Sequence, residues 1–281
     1  MAETRRLAGR RAIITGASRG IGAAAAQRIA AEGANVALVA RTLDKHPSLP
    51  GSLNETAEKC RQLGAEAALI VADLAAESDR ARVVPEATAA LGGPIDILVN
   101  NAAGAIYQPM EDYPLKRRRL MVELNVHCPV DLSQAVIPEM KQRGEGWIIN
   151  LSSASSNHPA GPPYDLSGVK GTYGYYGASK AMLNRVTTAM ASELHGTGIR
   201  LNTVEPAAAV MSEGAKKIVG HILSEDQIES MEAMCEAILW LCDCPADHTG
   251  EIESSLDLLE REQVTVMNLN GTHPHPGGYR R

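Results

Sequence analysis

The 281 residues carry a formal net charge of −6, with 44% hydrophobic and 21% charged side chains. That balance suits a globular chain with a sizeable core, lacks the sustained basic stripe of a nucleic-acid partner, and contains no apolar run near the ~18 residues of a membrane span. Cys60, Cys128, Cys235, Cys242 and Cys244 are too few and too scattered for a disulfide framework, so free thiols in a reducing, cytoplasmic compartment are expected.

No linker or internal repeat divides the chain, and residues 1–281 read as a single domain. Two arginine pairs open it without an apolar stretch behind them, which does not suit a signal peptide. Arg11-Ala-Ile-Ile-Thr15 is a short apolar strand that runs into Gly16-Ala-Ser-Arg-Gly20-Ile-Gly22 and an Ala-rich helix over 23–32. Strand, glycine turn and helix in that order form a cradle for a pyrophosphate: backbone approaches closely, and the positive helix end faces the anion. Gly16, Ser18, Arg19, Gly20, Ile21 and Gly22 are therefore candidate cofactor contacts.

A second strand over 35–40 ends in Ala40-Arg41. A carboxylate there would bond an adenosine ribose, whereas an arginine accommodates a 2'-phosphate, so Arg41 with Arg19 favours NADP(H) over NAD(H). The alternative is an Arg41 that points into solvent and takes either cofactor. The loop over 42–53 is unusually long and is either functional or a plain insertion. A helix over 54–63 leads to a strand ending at Asp73-Leu74. Another helix over 77–91 precedes the strand Ile95-Asp-Ile-Leu-Val99 and then Asn100-Asn-Ala-Ala-Gly104. Strands alternating with helices predict an α/β fold, a doubly wound parallel sheet with helices on both faces.

A long helix is expected over 113–141, carrying Asn125, with Pro129 and Pro138 as points of bending. Its run Lys116-Arg117-Arg118-Arg119 reads as a solvated face or a subunit contact. The strand Gly146-Trp-Ile-Ile-Asn-Leu-Ser-Ser153 follows, then a Pro/Gly/Ser-rich loop over 154–172 and a helix over 173–195 bearing Tyr176 and Lys180. A strand over 199–204 comes next. Residues 205–230 read as a cover over the site, 231–241 as a helix, and 251–256 as the last strand. The tail over 270–281, with His273 and His275, reads as an extended surface segment.

Tyr176 and Lys180 are four positions apart and so share one face of their helix. A phenol titrates near ~10, and an ammonium beside it favours the phenolate, which makes the pair a tunable acid/base. The bland reading is a solvated surface pair. With Thr15-Gly-Ala-Ser-Arg-Gly-Ile-Gly22, Asp73-Leu74, Asn100-Asn-Ala-Ala-Gly104, Asn125, Asn150-Leu-Ser-Ser153, Tyr176-x-x-x-Lys180 and Asn202 with Pro206 in this order, the chain resembles the short-chain dehydrogenases/reductases over nearly all its length. Within them it is similar to the hydroxysteroid dehydrogenase-like and citronellol dehydrogenase-like branches, which implies an apolar substrate.

The resemblance implies a Rossmann-type NADP(H)-dependent oxidoreductase acting on a carbonyl/secondary-alcohol pair, and a homo-oligomer, tetramer or dimer. It makes Tyr176 the proton donor in reduction and Lys180 its modulator and a ribose contact. Ser153 becomes the donor to the reacting oxygen, and Asn125 the holder of a relay water. Asp73, Leu74, Asn100, Ala102, Pro206 and Val210 join the cofactor contacts. The alternative is a catalytically silent nucleotide-binding sensor or scaffold. Three departures stand out: Ser153 lies 23 residues before Tyr176, so that Ser155 competes for its role; an extra Ala precedes Gly104; and Pro206-Ala207 replaces Pro-Gly.

Overall fold

The computed structural model describes residues 5–164, 172–212 and 228–278. Its central sheet contains β1 (Arg11–Thr15), β2 (Asn35–Ala40), β3 (Ala67–Val71), β4 (Ile97–Asn100), β5 (Gly146–Leu151), β6 (Ile199–Glu205) and β9 (Ile252–Ser254). They lie in the order β3-β2-β1-β4-β5-β6-β9, and every pairing is parallel. Parallel neighbours require crossovers. These are supplied by α1 (Gly20–Ala31), α2 (Leu53–Gln62), α3 (Glu77–Ala90), α4 (Leu115–Val122), α5 (Cys128–Arg143), α6 (Gly174–Glu193) and α7 (Met231–Leu241), while α8 (Ser255–Arg261) follows β9. The strand order reverses between β1 and β4, which opens a crevice at the carboxyl ends of those strands.

Successive strand residues point to opposite faces, and the core divides accordingly. Ala12, Ile14, Leu38, Val99 and Ile149 pack toward α1, α2, α7 and α8, whereas Ile13, Val39, Leu98, Ile148 and Leu201 pack toward α3, α5 and the end of α6. Phe is absent, and the layers are filled by branched aliphatics with alanine at close approaches. Ala24, Ala25, Ala26 and Ala30 bring α1 down on α7. There the buried Arg28 joins Glu236 of α7 and Glu32 at 2.6 Å each. Removing Arg28 would leave the Glu236 carboxylate buried without its counter-charge, a loss of about 3–5 kcal/mol.

The long helix expected over 113–141 is two helices. A π turn, Glu123–His127, joins α4 to α5, and neither Pro129 nor Pro138 interrupts the run. Pro129 sits in the first turn of α5, where a missing N–H is tolerated. The last strand also ends early, at Ser254, where α8 begins and buries Leu256, Leu258 and Leu259. The cover expected over 205–230 is described only at its two ends, β7 (Ala209–Val210) and β8 (Ile228–Glu229), which pair in parallel; residues 213–227 lie outside the described residues.

All five thiols are free and buried, and burial pushes Cys60, Cys128 and Cys244 up to about 12. Among the described residues no helix is long and apolar enough to cross a membrane. The described part of the tail is held rather than loose: Met267 bridges Pro274, and Gln27 of α1 donates to Asn270 at 2.6 Å.

Candidate active site

β1 ends at Thr15, whose hydroxyl accepts the backbone N–H groups of Asn101 (3.0 Å) and Ala102 (2.9 Å). The side-chain amide of Asn101 donates back to the Thr15 carbonyl at 2.8 Å. The glycine turn after β1 is thereby laced to the segment after β4. Gly16 has φ +69°, and a Cβ there would stand 2.7 Å from the Asn101 amide; at Gly22 a Cβ would collide with that amide and with the Gly16 carbonyl. No side chain caps the start of α1, so the positive end of its dipole is directed at the space in front.

That space is a cavity of about 320 Å³ lined by Gly16, Ser18, Arg19, Gly20, Ile21, Arg41, Asp73, Leu74 and Ala102 among others. A second cavity of about 620 Å³ is lined by Ser153, Tyr176, Lys180, Pro206 and Val210. Ile21, Asn101, Ala103 and Ser212 line both, so the two adjoin. A cradle without Cβ atoms at one end, alanines along the wall and a long trough beyond fit a nicotinamide dinucleotide. Gly16, Ser18, Gly20 and Ile21 would hold its diphosphate, and Arg41, Asp73, Leu74 and Ala102 its adenosine half.

On α6, Tyr176 and Lys180 face the second cavity one turn apart. The Tyr176 phenol and Ser153 line the same cavity, and Ser153 acts to lower the phenol's pKa. Ser153 in turn accepts from the Ser155 hydroxyl at 2.9 Å and the Ser155 N–H at 3.3 Å. Of the two serines it is Ser153 that lines the catalytic cavity, with Ser155 bracing it from behind. The loop can press this closely on α6 because Gly177 presents no Cβ to the Ser155 carbonyl. Its base is clamped from β6: Glu205 accepts from Ser156 and Asn157, each at 3.2 Å.

The Lys180 ammonium donates to the Leu151 carbonyl at 2.6 Å and lies 6.0 Å from the Tyr176 ring centroid. Burial pushes Tyr176 up to about 12, helped by the neighbouring Tyr107 and opposed by Ser153. Burial also brings Lys180 down to about 8. The expectation that the ammonium favours the phenolate is not met, because desolvation of the phenol dominates. At neutral pH the pair is therefore a neutral phenol beside an ammonium, the arrangement of a proton donor.

A family profile described as short chain dehydrogenase matches residues 10–222. The chain belongs to the short-chain dehydrogenase family. Hydroxysteroid dehydrogenase-like protein 2 of Danio rerio is 31% identical over 97% of this chain, and the chain spans 63% of that relative's length. A short chain dehydrogenase from Mycobacterium thermoresistibile superposes with a TM-score of 0.79 at 31% identity, covering 95% of this chain and 93% of the other. Two more solved structures carry cofactor. One is a short chain dehydrogenase from Mycobacterium paratuberculosis bound to NAD (TM-score 0.73, 27% identity, 89% and 97% covered), and the other a metagenomic short-chain oxidoreductase in complex with NADP (TM-score 0.71, 26% identity, 89% and 97% covered).

The side chains of two asparagines are engaged within the protein. Asn125 lies in the π turn with both amide hydrogens taken, one by the Gly104 carbonyl (3.0 Å) and one by Ser179 Oγ (2.9 Å), while its oxygen accepts the Gly104 N–H at 2.8 Å. Its side chain braces the segment after β4 against α6. Asn100, expected at the cofactor, turns into the core and donates to Asn150 at 2.9 Å. Its neighbour Asn101 takes the place in the crevice. The two alternate in direction at the end of a short-chain dehydrogenase strand, and the doublet alone did not say which faced outward.

Arg19 also departs from expectation. Its guanidinium donates to Pro50 O (3.0 Å), Gly51 O (3.2 Å) and Thr42 Oγ1 (3.3 Å), and so folds the long loop back over the glycine turn. Gly51 answers with φ +91°, where a Cβ would stand 2.5 Å from the Ser18 carbonyl. Arg41 is exposed and forms no ion pair or hydrogen bond among the described residues. The Pro206-Ala207 turn is held by groups with no local signal. Ala207 N–H donates to Ser255 Oγ at 3.0 Å, and Ala208 N–H to Glu229 at 3.1 Å. Burial raises the pKa of Glu229, while these hydrogen bonds act to lower it.

Proposed function

We propose that the chain is an NADP(H)-dependent oxidoreductase that interconverts a carbonyl and a secondary alcohol on an apolar small molecule. The observation that carries this reading is Tyr176 and Ser153 on the wall of one cavity, beside a Lys180 anchored to the Leu151 carbonyl, next to the glycine cradle. The bound nicotinamide would supply the hydride in reduction and accept it in oxidation. Tyr176 delivers the proton to the substrate oxygen, and Ser153 donates a hydrogen bond where charge develops on that oxygen. Lys180 keeps a positive charge behind the phenol and reaches the nicotinamide ribose. Asn125 acts through Ser179, whose hydroxyl donates to the Tyr176 carbonyl at 2.7 Å.

An apolar substrate is supported by the alanine-rich wall formed by Ala103, Ala105, Leu151, Ala207, Ala209 and Val210. The preference for NADP(H) is supported by Arg41 at the adenosine end and by the lack of a carboxylate at Ala40. A homo-oligomer, tetramer or dimer, is supported by Met110, Leu115 and Leu120 around α4 and Met182 on α6, all exposed. A reducing, cytoplasmic setting is supported by five free, buried thiols.

The deciding experiment pairs a ketone panel with Tyr176→Phe. The native protein should reduce apolar ketones with NADPH, and the variant should lose at least ~10²-fold in kcat while binding NADPH as before. Tight NADPH binding by the native protein with no turnover on any ketone or alcohol would mark a silent nucleotide-binding protein instead.

A further inference from the structure

We propose that Tyr107 is a substrate-binding residue whose hydroxyl grips a second oxygen of the substrate, so that the preferred ketone carries an oxygen acceptor one or two carbons from the reacting carbonyl. This rests on the oxidoreductase reading above and names the substrate class for the same cavity.

Tyr107 lines the catalytic cavity, half-buried, with its ring edge-on to that of Tyr176 at a centroid distance of 5.7 Å. Its backbone is fixed on both sides. The Ile106 carbonyl accepts the Tyr113 hydroxyl at 3.0 Å, and the Gln108 N–H donates to the Thr172 carbonyl at 2.9 Å. Tyr113 is itself stacked on Tyr175, one residue before Tyr176, at 5.0 Å. Tyr107 is thus tied to the same helix turn that presents the proton donor. Its hydroxyl has no hydrogen-bond partner among the described residues. Burial raises its pKa, which keeps the phenol a neutral donor at physiological pH.

The chemistry of the site says where that donor is directed. A carbonyl oxygen offers two lone pairs. Ser153 and Tyr176 address both, so a third donor has no acceptor left on the reacting oxygen. The Tyr107 hydroxyl, half-buried at the cavity wall, is left to water, and a substrate oxygen within reach would take that water's place. Both phenols line one cavity with their rings 5.7 Å apart, so one small substrate can meet both. An α-hydroxy ketone or a β-keto ester brings a second oxygen close to the reacting one, whereas a plain ketone leaves Tyr107 unanswered.

The test compares Tyr107→Phe, which keeps the ring and its packing, with the native protein on a plain methyl ketone and a β-keto ester of equal chain length. The variant should lose about threefold to tenfold in kcat/KM on the keto ester through KM, the scale of one neutral hydrogen bond, and lose nothing on the plain ketone. Calorimetric Kd values for the keto ester with oxidised cofactor present should weaken by the same factor. Equal losses on both substrates, or none on either, would overturn the assignment. If the native protein reduces neither ketone, the oxidoreductase reading fails, and the calorimetry decides Tyr107 alone. An unchanged Kd in the variant, or no binding by the native protein, would then count against it.

Discussion

The Asn125 amide donates to Ser179 Oγ at 2.9 Å, and that hydroxyl donates on to the Tyr176 carbonyl at 2.7 Å. A π turn, the segment after β4 and the first turn of α6 are therefore joined through one side chain. Its remaining amide hydrogen and its oxygen are both spent on Gly104. Asn125→Ala would leave the Gly104 N–H and C=O and the Ser179 hydroxyl short of partners in a buried place. Each such group costs about 1–3 kcal/mol, so urea unfolding should show a loss of at least ~2 kcal/mol with an unchanged m-value. The kcat should fall with it while NADPH affinity holds, since the cradle at Gly16 is not touched.

Gly22 makes a complementary case on the cofactor side. Its Cβ would meet the Gly16 carbonyl, which is backbone and has no rotamer to retreat into, as well as the Asn101 amide. Gly22→Ala should therefore displace the turn that holds the diphosphate. The expected result is a loss of at least about tenfold in cofactor affinity, or ~1.4 kcal/mol, with the far-UV circular dichroism retained. Unchanged affinity would show that the turn is not the cradle.

Lys180 gives a pH dependence with a defined sign. Burial brings it down to about 8, below the ~10.4 of an unfolded lysine. Between about pH 8 and 10 the unfolded chain binds a proton that the folded chain has released, so native stability rises with pH across that window. Lys180→Met lacks the group, and its stability should lack this rise; urea melts at several pH values compare the two directly. The same titration removes the ammonium behind Tyr176 above about pH 8, while Tyr176, pushed up to about 12, stays a neutral donor. Carbonyl reduction should then decline above about pH 8 and be flat below it. A rate that climbs from pH 8 to 10 would contradict this order of titration.

What was legible in the sequence was mostly what is local. Thr15 to Gly22 reads correctly because strand, glycines and helix follow one another, and the i,i+4 spacing of Tyr176 and Lys180 needs nothing beyond the helix itself. The π turn was not legible, since the helical pattern continues through Asn125 and the turn's long-range partners, Gly104 and Ser179, lie far off in the chain. Parity at Asn100-Asn101 was undecidable because both are amides and only one can face the crevice. The end of β9 was misplaced for a similar reason. Glu251 to Ser254 alternates like a strand, and only the burial of Leu256, Leu258 and Leu259 shows that a helix has begun. Arg19 was read with its neighbours in the turn, yet its partners Thr42, Pro50 and Gly51 come from a loop more than twenty residues away. Nothing near Glu229 in the chain announces that it braces Ala208.

That division of labour between the two arginines yields the last prediction. Arg41 lines the adenosine end of the first cavity and is exposed, with no partner among the described residues, whereas Arg19 is committed to the loop over 42–51. A hydrogen bond to a charged group contributes about 1.5–3 kcal/mol, and water screening at an exposed site holds it near the lower end. Arg41→Ala should therefore reduce kcat/KM for NADPH by about tenfold and leave NADH nearly unchanged, because only the former carries a 2'-phosphate. Arg19→Ala should behave otherwise: it releases the loop from the glycine turn, so KM should rise for both cofactors by a similar factor. Steady-state kinetics of the native protein and both variants with each cofactor supply the comparison. Equal native efficiencies with NADPH and NADH would remove Arg41 from cofactor choice. A selective NADPH loss in the Arg19 variant would return that role to the residue in the turn.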